Sequence, residues 1–217
     1  MFVVEKKPKS IAAEAYRTLR TNIQYSSFDK EYRTIVVTSS EPGEGKTITS
    51  GNLALALAQG ESKVLLVDCD MRKPSVHKHF KISNENGLTD LLLHKKTMEQ
   101  VMVKYNENLT IVAAGRVSPN PSEMLGSRAM GIFLEEMKEH FDYVVMDTPP
   151  LGAVTDAQVL STKVDGTILV VKAGSTKKDV VMNSVNLIKK VNGNLIGTVL
   201  NGVEQSKNKY YYYYGNE

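Results

Sequence analysis

Ser40-Glu41-Pro42-Gly43-Glu44-Gly45-Lys46-Thr47 has the glycine, lysine and threonine spacing of a loop that cradles phosphate. Gly43 and Gly45 let the backbone bend so that successive N–H groups face phosphate oxygens, and a helix opening near Lys46 adds its positive dipole end. Lys46 can then reach the β- and γ-phosphates of ATP, and the Thr47 hydroxyl can ligate Mg2+. Glu44 and Ile48 complete the stretch expected to lie against the nucleotide. Ser40 stands where the common pattern has its first glycine, so the loop is a variant.

Two further segments place carboxylates beside such a loop. Val64-Leu65-Leu66-Val67-Asp68-Cys69-Asp70-Met71-Arg72 puts Asp68 and Asp70 where an apolar strand emerges, and Val144-Val145-Met146-Asp147-Thr148-Pro149-Pro150 does the same for Asp147. In a parallel sheet these exits share one edge with the phosphate loop, so the acids are expected to converge on one Mg·ATP. A single acid at a strand end is usually a solvated cap; the combination with the loop argues for function. Mg2+ prefers oxygen ligands and keeps several waters, which suits Thr47 as a direct ligand and Asp147 acting through water.

Holding these groups together requires alternating strands and helices. The β-branched run at 34–38 reads as a buried strand feeding the loop, with further strands expected at 64–67, 109–113, 143–146, 167–171 and 195–200. A helix is expected over 10–25, with Ser10 as N-cap and Ile11, Ala15, Leu19 and Ile23 as its apolar stripe. A Leu/Ala-rich helix at 52–59 should close on Gly60 as a glycine cap, and amphipathic helices are expected near 127–140, 155–162 and 177–191. Near-continuous apolar strands indicate an α/β fold: a doubly wound, mainly parallel sheet flanked by helices, as in P-loop NTPases. The 217 residues fit one such domain over 1–204, followed by a tyrosine-rich tail at 205–217 that is expected to be mobile.

Composition narrows the partners. The net charge of +3 is spread over 27 basic and 24 acidic residues without a long one-sign block, so nucleic acid is not expected. Cys69 is the one cysteine, which excludes an intrachain disulfide and suits a reducing, cytoplasmic setting. The polar N-terminus does not read as a signal peptide, and no run of about 18 apolar residues suggests a span. Membrane association is therefore expected through another protein. His77 and His79 lack a third ligand and receive no metal role. Five of the ten tyrosines stand side by side at Tyr210, Tyr211, Tyr212, Tyr213 and Tyr214, whereas Tyr16, Tyr25, Tyr32, Tyr105 and Tyr143 read as packing residues.

An apolar run ending in Asp-x-Asp-x-Arg, followed by an apolar Asp-x-Pro, resembles the Walker A′ and Walker B motifs of bacterial tyrosine kinases. The likeness covers nearly the whole chain, from Glu14-x-x-Arg17-x-x-Arg20 through the phosphate loop to the terminal tyrosines. It implies that Lys46 and Thr47 are Walker A residues, Asp68 and Asp70 those of A′, and Asp147 that of B. It implies tyrosine phosphorylation with ATP and Mg2+, with Asp68 as the base and Asp70 supporting the metal and its waters, although the two roles could be exchanged. Comparison with related P-loop ATPases makes Asn201 a candidate for contacting adenine, with Gly202 in place of the arginine often found next.

A tyrosine hydroxyl has an ordinary pKa of about 10, so a positioned carboxylate must take its proton near the transition state. The segment from Gly202 to Lys209 adds about eight residues beyond the last strand, a reach of at most roughly 26 to 29 Å, and starts the tyrosines on the phosphate-loop edge. The resemblance implies that tails are phosphorylated in trans within a ring-shaped homo-oligomer, for which Glu14, Arg17 and Arg20 form the contact motif. It further implies other protein tyrosine substrates, a separate transmembrane activator that recruits the kinase to the inner face of the membrane, an opposing tyrosine phosphatase, and control of capsular or extracellular polysaccharide synthesis or export.

Rival readings have their own signatures. A partitioning or cell-division-positioning ATPase usually carries a second lysine five positions before the loop lysine, where this chain has Glu41. An iron–sulfur carrier needs paired cysteines, and a scaffold without catalysis would not incorporate phosphate from labelled ATP.

Overall fold

The computed structural model describes residues 2–26 and 31–204, so the tyrosine cluster at 210–214 lies outside the described residues. Seven strands form one sheet: β1 (Thr34–Ser39), β2 (Val64–Asp68), β3 (Met102–Lys104), β4 (Leu109–Val112), β5 (Tyr143–Asp147), β6 (Gly166–Lys172) and β7 (Leu195–Asn201). Their order is β3-β4-β2-β5-β1-β6-β7. Each pairing is parallel except β3 with β4, which is antiparallel. The six strands expected from sequence are present. β3 was not expected, because three residues with little burial leave no period to read.

Alternation along the strands separates two cores. Ile35, Val37, Leu66 and Val145 face α1 (Val3–Lys6), α2 (Ile11–Tyr25), α3 (Lys46–Gln59) and α4 (Val76–Phe80). Val36, Leu65, Val144 and Met146 face α5 (Leu88–Leu92), α6 (Met98–Val101), α7 (Pro121–Gly126), α8 (Arg128–His140) and α9 (Asp156–Ser161). A smaller cluster joins Leu169 of β6 and Ala157 of α9 to Ile188 of α10 (Lys178–Lys190). Helices thus cover both faces, as parallel strands buried on both sides require.

α3 is buried almost throughout from Thr49 to Ala58, lying between the sheet and α2, and its small residues permit that approach. At Gly51 an added Cβ would sit 2.1 Å from the Phe2 ring, so the N-terminal segment packs where a side chain would stand. Asn52 secures the same contact by accepting from Val4 N at 3.0 Å.

Three local expectations are met only in part. Of the expected stripe of α2, Leu19 and Ile23 pack on the core, but Ile11 is 52% exposed and Ala15 is exposed; the packed face is completed by buried Ala13 and half-buried Tyr16 and Arg20. A four-residue step advances 400° and drifts around the helix, whereas alternating steps of three and four stay on one face. Arg20 therefore lies on the packed side and donates to Ala56 O at 2.9 Å, capping the end of α3. α3 ends at Gln59 with Gly60 as its C-cap, as expected, but at φ −88°; the left-handed conformation falls on the next residue, Glu61, at φ 67°. The Arg20 guanidinium packs close over Gly60, where a Cβ would lie 2.7 Å from Nη1. Finally, Tyr25 is 78% exposed, while Tyr16, Tyr32, Tyr105 and Tyr143 pack against the first core. The expected cap of α2 is present, with Ser10 Oγ accepting from Ala13 N at 3.2 Å. Among the described residues no helix is long and apolar enough to cross a membrane.

Candidate nucleotide and phosphotransfer site

Neighbouring parallel strands bring the site together. Asp68 ends β2 and pairs in register with Asp147 of β5, and Asp147 in turn pairs with Val37 of β1, two residues before that strand ends. The loop from Ser40 to Gly45 leaves β1 at the same edge and enters α3 at Lys46. Gly43 has φ 81° and Gly45 φ 93°, values that suit glycine. Thr49 N makes the first bond of α3, to Gly45 O at 2.9 Å, which leaves the N–H groups of Lys46, Thr47 and Ile48 without helical acceptors. The Ile48 side chain packs on the first core, so its backbone alone can serve a phosphate.

Lys46 Nζ lies 3.1 Å from Asp70 Oδ2 and 3.9 Å from Asp147 Oδ2. Thr47 Oγ1 donates to Asp147 Oδ2 at 2.7 Å. Asp147 is fully buried, and its second oxygen, Oδ1, has no hydrogen-bond partner. Such an orphan is costly and suits a site built to receive a cation or its water. The hard oxygens of Thr47, Asp70 and Asp147 fit Mg2+. No three His, Cys, Asp or Glu among the described residues are placed to hold a metal by themselves, so phosphate oxygens and water would have to complete the shell.

Asp68 is arranged differently from its neighbours. Its Oδ1 accepts from Asp70 N at 3.1 Å, and its Oδ2 accepts from Ser75 N and Val76 N at 3.1 and 3.0 Å. Of the three acids expected to converge on Mg·ATP, Asp70 and Asp147 lie against Lys46, while both oxygens of Asp68 are taken up by the turn it begins. Burial, with Asp147 beside it, pushes the Asp68 carboxyl up to about 8 against the pull of those amides. Burial also raises Asp147, with Lys46 and Thr47 opposing. For Lys46, burial works against the ammonium, but Asp147 and Asp70 outweigh it and hold the group above its ordinary value.

The sign of the Asp68 displacement gives a test. A carboxyl that binds its proton more tightly folded than unfolded contributes stability that is complete below the ordinary 3.8 and lost as pH rises through about 8. Asp68→Asn abolishes that loss. The melting temperature of the variant minus that of the wild type, measured without nucleotide, should rise between pH 5 and 8. A flat or falling difference would contradict the proton affinity assigned to Asp68.

The other expected residues fall into place unevenly. Asn201 ends β7 and donates from Nδ2 to Glu44 O at 2.9 Å, and a Cβ on Gly45 would meet that Nδ2 at 2.1 Å. Asn201 thus braces the loop. The Glu44 carboxylate accepts from Glu41 N at 2.9 Å and from Thr176 Oγ1, so it acts as a tie within the loop. Glu14 pairs with Arg17 at 2.8 Å on the exposed side of α2, and Arg17 also donates to Pro8 O. Sequence reasoning missed Ser75, whose Oγ lies 3.0 Å from Thr47 Oγ1, because a serine seven residues beyond Asp68 carries no periodic signal.

A phosphate loop between parallel strands, with acids at the adjoining strand ends, defines a P-loop nucleotide-binding domain. Residues 32–199 match the AAA domain family. The chain is 42% identical over 212 residues to tyrosine-protein kinase YwqD of Bacillus subtilis (strain 168), covering 97% of this chain and 90% of that one. It is 39% identical over 216 residues to the putative tyrosine-protein kinase CapB of Staphylococcus aureus, covering 99% and 95%. The solved kinase domain of Escherichia coli tyrosine kinase ETK superposes with a TM-score of 0.90 at 34% identity, covering 99% of this chain and 85% of that one. The chain belongs to the bacterial tyrosine-protein kinases.

Proposed function

We propose that the chain transfers the γ-phosphate of Mg·ATP to tyrosine hydroxyls, including Tyr210 to Tyr214 of neighbouring copies in a ring-shaped homo-oligomer. The observation that carries this reading is the close set of Lys46, Thr47, Asp70 and Asp147, with its orphaned carboxylate oxygen, beside the helix N-terminus that follows the loop. Backbone N–H groups and Lys46 would bind the phosphates, and Thr47, Asp70 and Asp147 would hold Mg2+ directly or through water. ATP supplies the phosphoryl group, and Mg2+ held beside Asp70 and Asp147 would supply the positive charge that favours an ionised Asp68. Asp68 takes the phenolic proton as the tyrosine oxygen bonds to the γ-phosphorus, and the bond to the β-phosphate oxygen breaks to release ADP. Asn201, placed against the loop, contacts adenine.

The chain is further proposed to act on other tyrosine proteins, to be countered by a tyrosine phosphatase, and to join a transmembrane activator at the cytoplasmic face of the membrane. In that setting it regulates capsular or extracellular polysaccharide synthesis or export. These roles rest on the family resemblance. Mass spectrometry of the purified chain after Mg·ATP treatment, with the activator's cytoplasmic fragment present, should find phosphate on Tyr210 to Tyr214. Its complete absence under those conditions would reject autophosphorylation of the tail.

Ring assembly is assigned to Glu14, Arg17 and Arg20. Arg17→Ala with Arg20→Ala should shift size-exclusion profiles toward monomer and reduce tail phosphorylation. Because Arg20 also caps α3, Arg20→Ala alone should lower the melting temperature, whereas Arg17→Ala alone should not. An oligomer unchanged by the double substitution would refute the contact role.

A further inference from the structure

We infer that Asp156, acting through Arg72, is a positioning residue that holds Asp70 where a metal–nucleotide complex needs it; this rests on the proposed role of Asp70 in supporting Mg2+. Arg72 Nε donates to Asp156 Oδ2 at 2.9 Å, and Nη2 donates to Asp156 Oδ1 at 3.0 Å. Nη2 also reaches Ser122 Oγ on α7 at 3.3 Å. The Asp156 side chain is 0% exposed and the Arg72 side chain 38% exposed, so the guanidinium closes over a carboxylate that has no access to water. Desolvating a carboxylate is costly unless it is paired, and the planar arginine fork matches both of its oxygens.

The location of this pair gives it a mechanical role. Arg72 lies two residues after Asp70, in the turn between β2 and α4. Within the turn, Asp68 accepts from the amides of Asp70, Ser75 and Val76, and Asp70 Oδ1 accepts from Lys73 N at 3.0 Å; outward, Cys69 N donates to Asp147 O, and Lys46 and Thr47 of α3 reach Asp70 and Ser75, which leaves Arg72 as the residue whose side chain joins the turn to α9. Asp156 opens α9, at the end of the connection that leaves β5 after Asp147. The Arg72–Asp156 bond therefore fastens the turn carrying Asp70 to the segment following Asp147. It helps to set the gap between the two acids that Lys46 spans. Outer partners of this kind orient metal-holding carboxylates, and their loss commonly costs about 10- to 100-fold in metal affinity.

Two variants test the link without removing bulk. Asp156→Asn keeps the shape and one acceptor oxygen, and Arg72→Lys keeps the charge but loses the fork. Each is expected to raise the Mg2+ concentration for half-maximal binding of a fluorescent ATP analogue about tenfold. Binding of the analogue in EDTA should change less than about twofold, since the loop is untouched. The double variant should be no worse than the more affected single one, because both act on one linkage. Thermal melts identify the variants that remain folded, and a folded variant with an unchanged Mg2+ midpoint overturns the proposal. So does a change in metal-independent nucleotide affinity on Arg72→Lys, which would make Arg72 a direct phosphate contact. An unchanged Mg2+ midpoint in Asp70→Asn would instead overturn the metal-support role on which the inference stands.

Discussion

Lys46→Met is expected to lower phosphoryl transfer to tyrosine by about 10²- to 10³-fold or more, the scale found when one preorganised donor to a developing charge is removed. Methionine retains the length of the side chain and discards the ammonium that lies 3.1 Å from Asp70 and 3.9 Å from Asp147. Charge between the β- and γ-phosphates would then be neutralised only by backbone N–H groups and the metal. The substitution also leaves two buried carboxylates without their cation. Breaking a buried pair from one side is unfavourable, so the melting temperature without nucleotide should fall at neutral pH and recover as Asp147 takes up a proton. Initial rates on a tyrosine peptide, taken on variant shown by circular dichroism to be folded, provide the measurement. A folded variant keeping more than a tenth of the wild-type rate would mean that the ammonium does not serve the transition state.

Asp68→Asn is the second large effect. General-base assistance is worth about 10²- to 10⁴-fold, and the amide has no comparable affinity for a proton. Asp68 bonds to the amides of Asp70, Ser75 and Val76 and to none of the loop N–H groups, so nucleotide affinity should remain within about twofold while kcat falls. Asp70→Asn should show the opposite balance, a marked rise in the Mg2+ requirement and a smaller loss of kcat at saturating metal. Should Asp70→Asn produce the larger loss of kcat at saturating Mg2+, the roles of the two acids would be exchanged. The amide bonds to Asp68 make this comparison necessary, because a residue that shapes its turn can also reduce activity by disturbing Asp70. Normal metal dependence in Asp68→Asn would separate loss of the base from loss of the turn.

The parts of this molecule that could be read from sequence are those whose information is local. Apolar strands such as Val64 to Val67 announce burial on both faces, and the glycines, Lys46 and Thr47 announce a phosphate loop because backbone geometry and side-chain reach are set within eight residues. The carboxyl-edge rule for parallel sheets then places Asp68 and Asp147 beside that loop, and register pairing of those two residues bears it out. What sequence could not provide is whatever depends on two distant segments meeting. Which face of α2 is buried depends on its packing against α3, where Ala13 and Ile23 are enclosed and the Arg20 guanidinium reaches Ala56 O. Asp156 lies 84 residues along the chain from Arg72, and Thr176 lies 132 from Glu44. Which oxygen of which aspartate is free was likewise decided by tertiary packing, since hydrogen-bond partners are chosen by proximity in space and a motif specifies only the residue type.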